Sequence, residues 1–344
     1  MPARSLRQPS ARFGTVSATG LVEVVDLTAD AGRLDDGGWW VVVATFEGAV
    51  TGYRFERVVE DAMPVMAAVG PWVGPDRSAW RSSLDRDAYC AGVQAIRGYI
   101  AAGDVYQVNL CRMLTSVLGA GERQADPWAL AAKLAAGNPA PYAGVLDLGS
   151  DWIVSASPEL FLARDGDRLT SAPIKGTATG PDAFCDKDFP ENIMITDLVR
   201  NDLGRLATPG SVVVTELLKR ELHPGLAHLV STVTARLRPG HGWADILAAT
   251  FPSGSVSGAP KLTALQVISG LESVPRGVYC GAFGFVDADR QRGRLAVGIR
   301  TFSRRGGELA FGTGAGITWG SDPLKEWRET ELKADRLVGL ASRG

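Results

Sequence analysis

The most regular pattern in this chain is the alternation of apolar and polar residues, which predicts β-strands. It is clearest at residues 105–110, where the alternation places Tyr106, Val108 and Leu110 on one face of a strand and Gln107 and Asn109 on the other. Comparable apolar runs predict further strands at residues 39–46, 144–148, 152–155, 160–164, 168–172, 211–217, 282–287, 294–302 and 308–312. The chain is therefore expected to be rich in β-structure.

Apolar residues at helical spacing predict helices between these strands, at residues 85–102, 127–136, 190–206 and 322–341. Adjacent strands separated by short turns imply antiparallel sheets with the helices packed outside them, so we predict an α+β fold. Residues 1–80 hold short apolar runs that end in a Pro- and Gly-rich connector. We interpret them as a short strand-rich N-terminal portion that precedes a catalytic domain at residues 81–344.

The composition narrows the class of function. A net charge of −2 with dispersed basic residues disfavours nucleic acid and anionic membranes as partners, and a small diffusible substrate is expected. The four cysteines are far apart, and no apolar leader or membrane-spanning segment is present, which predicts a cytoplasmic protein. The 45% hydrophobic content of the 344 residues is enough for a large core.

Lys175 is a candidate nucleophile, because it follows two predicted strands and precedes a Gly- and Thr-rich turn. A free lysine has a pKa of about 10.4, so about one in two thousand is neutral at pH 7. This costs about 4 to 5 kcal/mol unless the site lowers the pKa. The alternative interpretation is a surface lysine beside a turn.

Two predicted helices carry acidic residues on one face. Glu326, Glu329 and Lys333 have the spacing i, i+3, i+7, which places them within an arc of about 60°, and Asp188 and Glu191 open the earlier helix. Converging carboxylates suit Mg²⁺, whereas histidines and cysteines at zinc spacing are absent from the sequence. The alternatives are an ordinary solvated helix face and, for Asp188, an N-cap.

Two glycine-rich segments present bare amides of the kind that bind anions. They are residues 312–317, at the end of a strand, and residues 251–261, which contain Ser257 and precede a helical stretch. Neither matches a phosphate-binding loop or a dinucleotide fingerprint, and tight turns are the alternative for both. Arg300 follows an alternating strand, where it is either a carboxylate partner or a surface arginine.

Taken in order, these segments resemble the chorismate-utilising family, which includes anthranilate, aminodeoxychorismate, isochorismate and salicylate synthases. The similarity runs from residue 85 to residue 340. The motifs that carry it are Gly103-Asp104-Val105-Tyr106-Gln107-Val108-Asn109-Leu110, Ser157-Pro158-Glu159, Pro173-Ile174-Lys175-Gly176-Thr177, Glu191-Asn192-Ile193-Met194, Arg200-Asn201-Asp202, His228-Leu229-Val230-Ser231-Thr232, Gly258-Ala259-Pro260-Lys261, Ile299-Arg300-Thr301, Gly314-Ala315-Gly316 and Glu329-Thr330. The resemblance implies a large α/β sandwich of antiparallel sheets with outer helices.

The resemblance also implies a role for each matching residue. Mg²⁺ is expected at Glu191 and Glu329, with Glu326 and Asp188 as more distant acids. The expected substrate-binding residues are Arg300, Tyr279, Gly314, Ala315, Gly316, Lys333 and Ser257. Glu159 matches the general acid that assists departure of the C4 hydroxyl of chorismate. The other expected catalytic residues are Lys175, His228, Thr177 and Gln107.

Within the family the residue after Pro-Ile distinguishes two reactions. Anthranilate synthases have alanine there, whereas aminodeoxychorismate synthases have lysine, as at Lys175. The resemblance therefore implies component I of an aminodeoxychorismate synthase: the lysine amine attacks C2 of chorismate, ammonia then adds at C4, and the product is 4-amino-4-deoxychorismate for para-aminobenzoate and folate. Gln107 stands where isochorismate and salicylate synthases carry a lysine base.

The sequence contains no Gly-x-Cys-x-Gly motif, so a separate glutamine amidotransferase is expected to supply the ammonia. Two alternatives stay open. One is amination at C2, as in anthranilate synthases, because Gly176-Thr177-Ala178-Thr179-Gly180 stands where the usual family loop has Gly-Thr-Arg-Pro-Arg, so two arginines are lost. The other is a non-catalytic paralogue that binds an amidotransferase, which the retained charged residues disfavour.

Overall fold

A computed structural model describes residues 8–60, 70–118, 126–178, 184, 188–223 and 226–343. Within them the chain forms six α-helices and eighteen β-strands. The helices are α1 (Arg86–Ala102), α2 (Pro127–Gly137), α3 (Asp188–Gly204), α4 (Trp243–Thr250), α5 (Lys261–Leu271) and α6 (Pro323–Ala341). The strands are β1 (Ser10–Phe13), β2 (Val16–Asp26), β3 (Trp39–Ala44), β4 (Val50–Val59), β5 (Arg81–Ser82), β6 (Gln107–Val117), β7 (Tyr142–Asp147), β8 (Trp152–Ser157), β9 (Leu160–Asp165), β10 (Arg168–Ala172), β11 (Ile174–Ala178), β12 (Val213–His223), β13 (Leu226–Arg236), β14 (Gly258–Ala259), β15 (Ala282–Asp287), β16 (Arg292–Val297), β17 (Thr301–Arg305) and β18 (Glu308–Ile317).

Helix ends follow the capping residues of the sequence. The Asp85 carboxylate accepts a 2.8 Å hydrogen bond from the Ala88 amide at the start of α1, and Gly103, with φ of 84°, ends the helix. Asp126 and Asp322 cap α2 and α6 in the same way. The predicted helices at 85–102, 127–136 and 322–341 are therefore confirmed to within a residue or two.

The strands form one continuous sheet in which every described pairing is antiparallel. Its first arm runs in the order β2, β4, β3, β15, β16, β9, β10, β13, and both β11 and β12 pair with β13. Its second arm runs β7, β8, β17, β18, β6, with β5 and β14 on β6. Strand β1 pairs with β2 and with β7, and so joins the two arms.

The two arms pack face to face. One buried cluster joins Trp39 and Phe283 of the first arm to Leu146 and Ile153 of the second. The Phe13 ring, on β1, lies 4.9 Å from the Phe283 ring, a spacing at which aromatic pairs contribute about 0.5–1.5 kcal/mol beyond their burial. The α+β prediction, with a sandwich of antiparallel sheets, is confirmed.

Helices cover the outer faces of both arms. Helix α3 packs against β11, β12 and β13 of the first arm, and α6 packs against β18 of the second arm and against α1 and α2. The acidic faces of α3 and α6 therefore belong to opposite arms. Among the described residues, no helix combines the length and the apolar character needed to cross a bilayer.

Two short connections carry the chain from one arm to the other. Strands β8 and β17 pair in the second arm and β9 and β16 in the first, so residues 158–159 and 298–300 lie where the arms separate. These connections bond to each other: the Val297 amide donates to the Glu159 carbonyl and the Ala156 amide to the Arg300 carbonyl, both at 3.0 Å. Arg300 has a φ of 53°, in the left-handed region, as the strand direction changes.

Three strand predictions were wrong in detail. The run 294–302 is two strands, because the chain changes arms at 298–300. Strand β6 begins at Gln107 and is buried on both faces up to Leu114, while Tyr106 precedes the strand, is 68% exposed and does not share the buried face of Val108. Lys175, predicted on a turn, lies within β11.

The N-terminal residues contribute strands to this same sheet, since β3 pairs with β15 along its whole length. The division of the chain near residue 80 stays a prediction. The altered loop after Ala178 also stays untested, because residues 179–183 lie outside the described residues.

Candidate functional site

Lys175 sits at an irregularity in strand β11. Ile174 pairs with Val230 and Thr177 with His228, so three steps along β11 match two along β13. Gly176, at the irregularity, has a φ of +85°, and a Cβ there would lie 2.9 Å from the Asp188 Cβ, at the start of α3. A glycine is required because the helix packs directly on the bulged backbone.

The Lys175 side chain reaches from the first arm to the second. A Cβ built on Gly316 of β18 would lie 3.3 Å from the Lys175 Nζ and would overlap the amide nitrogen of Gln107 on β6. Three predicted site residues, which are far apart in sequence, therefore meet between the arms. Gln107 is 1% exposed, and its Oε1 has no hydrogen-bond partner among the described residues.

Burial lowers the pKa of the Lys175 amine below its ordinary value. The positive charge of Lys333 lowers this pKa further, while the carboxylates of Glu191, Glu159 and Glu329 raise it. Burial outweighs the acids, so a larger fraction of this amine is neutral at pH 7 than of a free lysine. A neutral amine is the form that attacks a carbon atom.

Glu159, on the connection between β8 and β9, is 3% exposed, and burial raises the pKa of its carboxyl to about 7. Hydrogen bonds from the Ser255 hydroxyl and the Ile174 amide, and the charges of Lys175 and Arg300, only partly oppose this. Its Oε1 has no hydrogen-bond partner among the described residues. A carboxyl with a pKa near 7 is suited to donate a proton at neutral pH.

The acidic residues of α6 have distinct surroundings. The Lys333 ammonium lies 2.6 Å from Glu329 Oε1 and donates to the Gly314 carbonyl at 3.1 Å. Glu326 is 2% exposed and accepts a 2.7 Å hydrogen bond from the Ser321 hydroxyl. The solvated helix face considered from the sequence is thus excluded for Glu326.

The fit of Mg²⁺ can be judged from these donors. Within the described part of the chain, no group of three or more His, Cys, Asp and Glu side chains surrounds a common metal position. The charges of Glu191 of α3 and Glu329 of α6 nevertheless both raise the pKa of the Lys175 amine. The two carboxylates therefore approach this amine from opposite arms. Two carboxylates fit Mg²⁺, which takes one or two from the protein and completes its shell with water and substrate oxygens.

The predicted substrate-binding residues line the second arm and its connection to the first. Burial lowers the pKa of Arg300, as does Arg336, while Glu159 raises it. Burial raises the pKa of Tyr279 well above its ordinary value, so its phenol is a neutral donor, and its ring covers Gly312, where a Cβ would overlap it. Both side chains can bind a carboxylate.

The other predicted substrate-binding residues contribute mainly backbone. Ser257 is fully buried, and its hydroxyl donates to the Ser253 carbonyl at 2.9 Å. The Ala315 side chain belongs to the main core. A Cβ built on Gly314 would lie only 2.6 Å from the Cys111 Sγ, so no larger residue fits there. Gly314 and Gly316 thus admit a close approach to the backbone.

His228 is 1% exposed and lies on β13 opposite Thr177. The side chain of Thr177 lies outside the described residues, so its predicted role stays a prediction. Sequence reasoning assigned no role to Ser255 or Asn192, although both lie in segments that it singled out. Ser255 bonds to Glu159, and Asn192 donates to the Lys175 carbonyl at 3.4 Å.

Known proteins are similar to this chain over about three quarters of its length. A family model described as chorismate binding enzyme matches residues 72–339. The chain belongs to this family. An aminodeoxychorismate synthase of Streptomyces griseus is 41% identical over 269 residues, which are 74% of this chain and 36% of the relative. Component 1 of the Klebsiella aerogenes enzyme is 38% identical over 274 residues, 76% of this chain and 59% of the relative.

Anthranilate synthases are similar to this chorismate binding enzyme to the same degree. Component 1 from Thermus thermophilus is 40% identical over 274 residues, 76% of this chain and 58% of the relative. The chain thus spans 36% to 59% of the length of these curated relatives. The resemblance inferred from the motifs is confirmed at the level of the family.

Solved structures share the fold of this chorismate binding enzyme. An isochorismate synthase of Bacillus anthracis superposes with a TM-score of 0.80 at 21% identity, covering 97% of this chain and 96% of its own. Anthranilate synthase component I of Streptococcus pneumoniae gives 0.77 at 23% identity, covering 98% and 93%. At these identities the likeness concerns the fold alone.

Gly316→Ala is expected to lower turnover of the natural substrate about 100-fold without unfolding the protein, because the new methyl group displaces the Gln107 amide and crowds the Lys175 amine. Steady-state kinetics and a thermal melt measure the two effects. Gly98→Ala is the matched control: Gly98 is exposed in α1, nothing lies within 4 Å of its Cβ position, and alanine there should stabilise the fold by about 0.5–1 kcal/mol. Wild-type turnover by Gly316→Ala would exclude Gly316 from the site.

Proposed function

We propose that this chorismate binding enzyme is component I of an aminodeoxychorismate synthase, which converts chorismate and ammonia into 4-amino-4-deoxychorismate. The observation that carries the proposal is the Lys175 amine. Its pKa is lowered by burial, and it reaches between the arms to Gly316 and Gln107. Glu159, whose carboxyl has a pKa of about 7, acts on the same amine.

These two groups supply the nucleophile and the acid of a two-step substitution. The neutral Lys175 amine adds at C2 of chorismate, the double bonds shift, and the C4–oxygen bond breaks. Glu159 donates its proton to the departing hydroxide, which leaves as water. Ammonia then adds at C4, the double bonds shift back, and the C2–nitrogen bond breaks. The Glu159 carboxylate accepts the proton that the new C4 ammonium releases, which restores the carboxyl.

Chorismate carries two carboxylates, and the acidic side chains of the site would repel them. Positively charged groups of the protein are therefore needed to bind it. Arg300 and Tyr279 are proposed to hold the enolpyruvyl carboxylate, and Lys333 lies near the ring carboxylate. Glu191 and Glu329 would hold Mg²⁺, with Asp188 and Glu326 behind them. When bound, this ion supplies positive charge that offsets the ring carboxylate.

A separate glutamine amidotransferase is the proposed ammonia source. The name of the Klebsiella relative, which calls it component 1 of its enzyme, supports a partner. Free ammonium ions in equilibrium with ammonia replace the partner in a test.

Amination at C2, to give anthranilate, is the second candidate. The Thermus anthranilate synthase, at 40% identity, is as similar to this chain as the aminodeoxychorismate synthases are. This similarity supports anthranilate formation as the second candidate reaction. Lys175 separates the two candidates, because the family resemblance places alanine at this position in anthranilate synthases.

The product identifies the reaction. Incubation with chorismate, Mg²⁺ and ammonium is expected to yield 4-amino-4-deoxychorismate by mass spectrometry, and para-aminobenzoate once a matching lyase is added. Chelation with EDTA should stop turnover, and added Mg²⁺ should restore it. Free anthranilate without lyase would favour C2 amination, and no turnover would favour a non-catalytic paralogue.

A further inference from the structure

The bulge in β11 interrupts the backbone hydrogen bonds between β11 and β13. Between Ile174 and Thr177 the strand has one residue more than β13, so Lys175 and Gly176 interrupt the regular ladder. Such an interruption changes the direction in which the neighbouring side chain points, which here is the side chain of Lys175. It also leaves backbone groups that must find other partners, because a buried carbonyl without a hydrogen bond is costly.

The Asn192 side chain supplies a hydrogen bond to the backbone at this bulge. It is fully buried, and its amide nitrogen donates to the Lys175 carbonyl at 3.4 Å and to the Leu229 carbonyl at 2.9 Å. One side chain of α3 therefore bridges β11, at the bulge, and β13, the neighbouring strand. The bond to Leu229 fixes Asn192 on the regular part of the sheet, and the bond to Lys175 extends that support to the irregular part.

The Asn192 amide is itself held in one orientation. Its Oδ1 accepts a hydrogen bond from the Ser231 hydroxyl. Thr196 also donates to the Asn192 backbone carbonyl at 2.7 Å. Both amide hydrogens and the amide oxygen thus have partners, so a rotation of the amide would break the bonds to Lys175, Leu229 and Ser231.

The geometry points to Asn192 as a positioning residue, which holds the bulged carbonyl of Lys175 so that the amine meets the substrate between the arms. It follows Glu191 directly, so the same turn of α3 carries the proposed metal ligand and the support for the nucleophile. This inference rests on the proposed role of Lys175 as the nucleophile. It adds that the lysine depends on a side chain that touches neither substrate nor metal.

Asn192→Leu tests the inference, because leucine has a similar size but cannot donate to either carbonyl. We expect kcat for chorismate consumption to fall about 100-fold, since a displacement of about 1 Å at a reacting group costs about that much. The KM for chorismate should stay near the wild-type value, because Arg300, Tyr279 and Lys333 lie on other elements. Thermal melts establish that the variant is folded.

Thr196→Val is the matched control. It removes a buried hydroxyl that donates to the Asn192 backbone carbonyl but leaves the side-chain bonds of Asn192 to Lys175, Leu229 and Ser231, so it should melt earlier while keeping kcat near wild type. Wild-type kcat in Asn192→Leu, or an equal loss of kcat in both variants, would overturn the inference. If the leucine variant does not fold, Asn192→Ala gives the same comparison, since alanine also has no donor for either carbonyl.

The outcome is separable from that of the proposed function. If Lys175→Ala is inactive while Asn192→Leu keeps its kcat, the positioning role fails and the nucleophile stands. If Lys175→Ala keeps its activity, the proposed mechanism fails, and the positioning role fails with it. Chorismate consumption is followed in all variants, so the identity of the product does not affect the comparison.

Discussion

Lys175→Ala should lower the rate of C4 amination by at least about 10³-fold, because it removes the amine that lies beside Gly316 and Gln107 and that the proposed reaction uses as its nucleophile. The substitution removes a side chain whose amine extends into the site between the arms, so the thermal midpoint should change little. Chorismate, Mg²⁺ and ammonium are supplied, and mass spectrometry follows product formation. The loss should appear in kcat, since the covalent step depends on this amine.

Lys175→Arg separates a nucleophile from a simple positive charge. Arginine keeps the charge and most of the length, but its guanidinium does not lose a proton in proteins and cannot attack C2. We therefore expect it to be as inactive as the alanine variant. If the arginine variant retains amination, the lysine serves only to bind the anionic substrate, and unchanged amination by the alanine variant removes it from the mechanism altogether.

Glu159→Gln is expected to slow turnover by about 10²–10⁴-fold, the usual contribution of a general acid. Glutamine has the same shape and still accepts hydrogen bonds from Ser255 and Ile174, so the fold and the KM for chorismate should be retained. Only the proton for the departing hydroxide is lost. Steady-state kinetics with chorismate and ammonium measure the change.

The pH dependence gives a second test of Glu159. Burial raises the pKa of its carboxyl to about 7, so the proton-donating form predominates below pH 7 and is lost as the pH rises above it. The rate should therefore fall above about pH 7, whereas deprotonation of Lys175 raises the rate from the acid side. In Glu159→Gln the fall on the alkaline side should disappear. An unchanged alkaline limb in this variant assigns that limb to another group.

Much of the secondary structure could be predicted from local patterns. Asp85 and Gly103 bound α1, because capping chemistry acts within one turn of the chain. The break of the predicted strand 294–302 could not be foreseen, since it arises where β16 and β17 pair with different arms. Gly176 was read as part of a turn, because a bulge and a turn both call for a glycine with positive φ.

The candidate site depended on more than local pattern. The local pattern left two interpretations of Lys175 open, a nucleophile and a surface lysine, and only the ordered family motifs joined it to Glu159 and Gln107. Their meeting is a matter of tertiary structure, since Gln107 and Gly316 belong to one arm and Lys175 to the other. Asn192 and Lys175 are 17 positions apart in sequence, and no helical or strand periodicity predicts a contact between them.

The meeting of the two arms at Lys175 has a consequence for folding. A chain that has formed only the first arm presents the lysine, and one that has formed only the second presents Gly316 and Gln107, but neither can perform chemistry. Such long-range pairing makes folding slow relative to helical proteins of this size. On the proposed mechanism, activity therefore requires the two arms to be docked, and a substitution that weakens this docking is expected to lower activity even where it lies far from Lys175.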